Sequence, residues 1–189
     1  MKFLLFILLL GLFACSNDDL LIPKPPTYLR LNLPKHSYST YKAACGFSFE
    51  SAKIFKIKDV YDQQGLKTCH KDIELGPLNG IIHFSFIDMK EPLATYVNFA
   101  NDKVDEHKVK ATAIDDITLI NKKNKVYGVL FELQGDVASP FQFYLTDSVS
   151  KFVSGVVYFN CKPNFDSLKP SLDYLKNDLL KLTRSFKWN

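Results

Sequence analysis

The 189-residue chain has little that would announce a reaction, and each missing feature removes a class. Its first apolar run, Phe3 to Phe13, is far shorter than the roughly 20 residues a spanning helix needs. There is no Gly-x-Ser-x-Gly, which removes the hydrolases built on a nucleophile elbow. Triads on other folds stay open, because their members meet only in space. The eight glycines are scattered singly, so no glycine-rich loop can cradle a phosphate. The four histidines, His36, His70, His83 and His107, show no His-Glu-x-x-His pattern. No cofactor is expected. A net charge of +4 is too mild to argue for nucleic acid.

What is plentiful is aromatic: 16 Phe and 9 Tyr, with a single Trp, favour a β-rich interior filled by large side chains. The start of the chain has the build of an export signal, Met1-Lys2 followed by the apolar run. Its end, Leu12-Phe13-Ala14-Cys15, resembles the lipobox of bacterial lipoproteins. There a small residue precedes the scissile bond, and the next cysteine is alkylated by diacylglycerol. Residues 1–14 are therefore expected to be a lipoprotein signal peptide, with Cys15 carrying the lipid. Two or three acyl chains exceed the single chain that binds only marginally, so the anchor would be stable. Residues 15–26 read as lipidated cysteine and tether, polar through Asp18-Asp19 and extended by Pro23, Pro25 and Pro26. Residues 27–189 are long enough for one globular domain.

With Cys15 assigned to lipid, three cysteines remain. In an oxidising compartment Cys45 and Cys69 are the expected disulfide. Cys161 is then left over, read as a buried thiol near a strand end. Spacing does not fix connectivity, so pairing of Cys161 with either of the others stays open.

Alternating apolar residues predict strands over Tyr28 to Leu33, around Phe47 and Phe49, over Ile54 to Val60, Cys69 to Leu75 and Ile81 to Ile87. Glu91-Pro92 opens a helix whose stripe runs Leu93, Tyr96, Val97, Ala100, Val104, His107, Ala111. Strands follow over Ile114 to Ile120, Val126 to Leu133, Phe141 to Thr146 and Phe152 to Phe159. The last two form a hairpin about Asp147-Ser148. A second helix, about Ser167 to Thr183, has Asp166 or Ser167 as its cap and Leu168, Leu172, Leu175, Leu179 and Leu182 as its stripe. Ser185 to Trp188 closes the chain as a short strand. The order predicts a single α+β domain, one antiparallel sheet covered by two main helices. Its back half resembles the Mog1/PsbP arrangement in pattern.

Three local clusters invite a functional reading. Cys69-His70 with Cys45 offers metal ligands, but a disulfide beside an exposed histidine is the favoured reading. Asp115-Asp116 suggests paired carboxylates, against solvation at a strand end. Lys122, Lys123 and Lys125 read as a solvated loop tip, with contact to anionic headgroups as the sharper alternative.

Several stretches together resemble the GldD gliding-motility lipoproteins of the Bacteroidota. They are Pro23-Lys24-Pro25 with Tyr28, Arg30 and Leu33-Pro34; then Cys45 to Glu50; His107 with Lys110-Ala111; and Lys125-Val126-Tyr127-Gly128. Further on come Gln142 to Ser148, Leu168-Lys169-Pro170 and Phe186-Lys187-Trp188. The resemblance implies a cell-envelope lipoprotein needed for gliding and type IX secretion, with no catalytic residues to carry over. Its expected partners are other envelope lipoproteins of that machinery, and the membrane through its lipid. The outer membrane facing the periplasm is the expected site, with the cell surface or inner membrane as alternatives. The rival class is a ligand-binding or hydrolytic lipoprotein, which needs a deep apolar pocket with convergent polar groups.

Overall fold

A computed structural model describes residues 32–189. Cys15, the tether and most of the expected Tyr28 to Leu33 strand lie outside the described residues; Asn32 and Leu33 belong to no strand. Ten strands and two helices follow one another: β1 (Tyr38–Ala43), β2 (Phe47–Ala52), β3 (Lys56–Tyr61), β4 (Lys67–Glu74), β5 (Gly80–Asp88), α1 (Leu93–Asp105), β6 (Ala111–Asn121), β7 (Val126–Gly135), β8 (Phe141–Thr146), β9 (Lys151–Phe159), α2 (Phe165–Ser185) and β10 (Lys187–Trp188). This is the expected α+β class, but the strands fall into two antiparallel sheets instead of one. The larger has the order β3-β4-β5-β9-β8-β7-β6, and the smaller is β1-β2-β10.

β1 has no counterpart among the expected strands. Its two tyrosines are only half-buried and its other residues are polar or small, so it carries little apolar signal. It forms because β2 presents a free edge, which it pairs along its whole length from Tyr38–Ala52 to Ala43–Phe47. β2 is in turn buried on both sides, with Phe47 and Phe49 in the main core.

That core lies between one face of the large sheet and a layer made of β2 and α2. Leu172, Leu175, Leu179 and Leu182 of α2 meet Ile82, Phe84, Leu130, Phe143, Leu145 and Val153 of the strands. The helix begins earlier than its leucine spacing suggests. Asn164 is the cap, its side chain accepting from the Ser167 N–H at 3.0 Å, in place of Asp166 or Ser167. Asp136 accepts the otherwise orphaned Phe165 N–H at 2.8 Å, which lets the helix start there.

α1 covers part of the opposite face, where Val104 packs with Leu133 and Val137. It ends at Asp105, so His107 and Ala111 do not extend its stripe. Residues 106–110 form a turn instead, and Ala111 opens β6.

Two glycines allow the sheet to close-pack. A Cβ on Gly128 would sit 1.9 Å from the Tyr144 carbonyl oxygen, and one on Gly155 would sit 2.2 Å from the Phe143 ring. The β8–β9 turn is held by Asp147. Its Oδ1 accepts from the N–H groups of Val149, Ser150 and Lys151, and its Oδ2 from the Ser150 hydroxyl. Burial pushes this carboxyl up, but the three backbone donors and the hydroxyl outweigh it and hold it below the usual carboxylate range. A depressed folded-state value means the turn's contribution is present above the ordinary range and is lost as pH falls through the lowered value. Asp147→Ala should therefore cost about 1–2 kcal/mol at neutral pH, as loss of a comparable cap does. In urea melts, its gap from wild type should narrow in strong acid.

Candidate interaction surface and membership

The expected bridge sites are adjacent. Cys45, in the β1–β2 turn, and Cys69, on β4, are joined with Cα atoms 5.8 Å apart, fastening the small sheet to the large one. Their thiolates are thus unavailable to a metal. His70 is occupied too, since its Nδ1 accepts the Phe86 N–H at 3.2 Å. Among the described residues no cluster of His, Cys, Asp and Glu is arranged to hold an ion. Cys161 is free and exposed, not buried, because it lies just past the end of β9 where the chain leaves the sheet.

Asp115 and Asp116 sit within β6, an edge strand, and not at its end. Neighbouring strand residues point to opposite faces, so the two carboxylates diverge. Asp115 Oδ2 accepts from Gln134 Nε2 at 2.8 Å, on the next strand.

An Asp–His pair that no local motif announces lies where the described chain begins. His36 Nδ1 is 2.7 Å from Oδ1 of Asp178, whose side chain is wholly buried on α2. The Tyr174 ring stacks on the imidazole at 4.1 Å, and its hydroxyl donates to the Pro34 carbonyl at 2.9 Å. Tyr38 stands beside the same carboxylate. Burial, then the hydrogen bond to Asp178 and its charge, push the Tyr38 phenol up to about 12. That contact is looser than the histidine's, because no donor meets full hydrogen-bond geometry at Asp178 Oδ2. Pro34, His36 and Tyr38 thus follow Tyr174, Asp178 and Lys181 along the outside of α2, Lys181 lying 5.5 Å over the Tyr38 ring. The arrangement is a clamp that holds the first described residues against α2. The sequence separation of 142 between His36 and Asp178 explains why no local pattern reveals it.

The surface offers faces more than pockets. The apolar cleft beneath α1, lined by Phe99, Phe131, Phe143 and Val156, holds only about 50 Å³. Ligand pockets run to about 300–1,000 Å³. Beside it the outward face of the large sheet leaves Ile120 64 % and Tyr158 37 % exposed, with Tyr127, Val129 and Tyr144 half-buried. Larger clefts open around Arg184, at the C-terminal end of α2. One of about 530 Å³ is lined by Thr118, Ile120, Lys122 and Lys123; another, of about 580 Å³, by Tyr38, Asn177 and Lys181. They are open to solvent, and their walls mix cationic side chains with apolar ones such as Leu119 and Leu180. No helix among the described residues is long and apolar enough to cross a membrane.

Comparison with curated proteins finds no matching sequence. A family model described as gliding motility lipoprotein GldD matches residues 18–188, nearly the whole chain and all but the last described residue. That description implies a role in gliding motility and a lipid-anchored place in the cell envelope, and it names no reaction. The clamp, the bridge, the Asp147 turn and the aromatic core all fall within the matched span, and the chain belongs to the gliding motility lipoprotein GldD family.

Proposed function

We propose that the protein is a non-catalytic assembly or stabilising component of the gliding and type IX secretion machinery. It is held by acyl chains on Cys15 in the outer membrane, facing the periplasm, and docks onto other envelope lipoproteins of that machinery. The observation that carries this reading is the family match over residues 18–188, directly after the lipobox-like Leu12 to Cys15. The half-exposed aromatic face around Tyr127, Tyr144 and Tyr158 supports it, since exposed apolar patches on globular domains mark interaction sites.

A clean deletion should abolish both gliding and type IX secretion. Wild type supplied in trans should restore them, and Cys15→Ser should not. Normal secretion in the deletion strain would refute the assembly role. Full rescue by Cys15→Ser would refute the need for the anchor.

A further inference from the structure

We propose that the basic face around Arg184 lies against the anionic headgroups of the membrane that carries the anchor, making a second, electrostatic contact beside the acyl chains. This rests on the lipid-anchored reading above for its geometry.

Three adjacent clefts share Arg184 in their walls, and between them they expose Lys122, Lys123, Lys181 and Lys187. The one carboxylate lining them is Glu50, whose Oε1 accepts from the Thr40 hydroxyl at 2.5 Å. Among the described residues, none of these five cations is within 4 Å of a carboxylate. By contrast Lys58, Lys67, Lys71, Lys103, Lys108, Lys169 and Lys176 are all paired with one. Nine other lysines among the described residues are unpaired as well, but these five line three clefts that share Arg184 and hold a single carboxylate.

The occupant follows from where the anchored chain arrives. Lys181 lies seven residues after Tyr174 on α2, so both project from one face of the helix. The clamp holds Pro34, His36 and Tyr38 along that face. From the Tyr174 clamp to Arg184 is about 15 Å at 1.5 Å per helical residue. Only the residues from Cys15 to Asn32 separate the lipid from the domain, a reach of at most about 60 Å fully extended. The first described residues thus lie on the same side of α2 as Lys181, and a tether of that reach lets this side meet the bilayer. A headgroup layer satisfies positive charges spread over several clefts, whereas a single small anion would need them converging on one point. Basic clusters near an anionic bilayer act as such second anchoring signals, each cation giving roughly a five-fold gain in binding.

The test uses the mature chain with Cys15→Ser, so that no acyl chain contributes, and cosedimentation with vesicles. Binding to phosphatidylcholine–phosphatidylglycerol vesicles should exceed binding to phosphatidylcholine alone and should weaken as salt is added. Replacing Lys122, Lys123, Lys181 and Arg184 by alanine should reduce it by roughly a hundred-fold or more. Replacing Lys53, Lys90, Lys108 and Lys162, exposed elsewhere, removes the same charge and should leave it within about five-fold. All eight side chains are exposed, and matching thermal melts confirm that both variants fold. Equal losses in the two sets would overturn the proposal, leaving only net charge. No preference for the anionic vesicles would overturn it as well. Secretion in the deletion strain decides the assembly role, and vesicle binding decides this one, so the two can fail separately.

Discussion

Phe47→Ala should lower the free energy of unfolding by about 3–5 kcal/mol, the cost of deleting a fully buried aromatic ring. Phe47 is 0 % exposed and is the point where every layer of the main core meets. Its ring centroid lies 5.3 Å from Phe84 and 5.4 Å from Phe86, both on β5 of the large sheet. Phe186, just past α2, is 5.7 Å away, and Phe49 on its own strand is 6.2 Å away. Truncation removes ring contacts on the large sheet, the small sheet and the helix end at once, and no single neighbour can collapse to fill the space. Domains of this size have about 5–15 kcal/mol in total, so much of the margin would go. Tyr61→Ala, on an edge strand and 61 % exposed, is the matched control and should stay within about 0.5 kcal/mol. Urea titrations of both check this; a Phe47→Ala loss below about 1 kcal/mol would contradict the hub role.

Removing the bridge by Cys45→Ser with Cys69→Ser should cost about 3.5 kcal/mol. The two cysteines are 24 residues apart, and cross-linking a loop of that length removes about this much chain entropy from the unfolded state. Because the bridge ties the β1–β2 turn to β4, the loss should fall first on the small sheet. Hydrogen exchange should show protection of Phe47–Ala52 dropping more than that of Phe141–Thr146. Dithiothreitol added to the wild-type chain should reproduce the shift in denaturation midpoint. An unchanged midpoint would mean that the native contacts hold the small sheet without it.

How far the sequence reached depended on the range of the forces involved. The meander of β7, β8 and β9 was readable because each strand alternates strongly within itself. The Asp147 hairpin was readable because its turn is local. The leucine stripe of α2 was readable for the same reason, although its first turn was not: the Phe165 N–H is accepted by Asp136, a residue far back in the chain. β1 escaped because its strand character comes from the edge of β2 and not from its own side chains. The division into two sheets escaped too, since alternation says which residues share a face but not which strand they pair with.

The surface follows the same division. Lys122, Lys123 and Lys125 were visible as a charged turn, but their meaning depends on Lys181, Arg184 and Lys187, brought beside them by the packing of α2. The clamp of His36 on Asp178 exists only once the start of the domain lies along that helix. By itself the sequence determined the α+β class, the elements whose periodicity is their own, and the family resemblance. Only the tertiary structure decided sheet membership, the exposure of Cys161 and the grouping of free cations. Each of those depends on residues far apart in the chain meeting, and no local pattern records such a meeting.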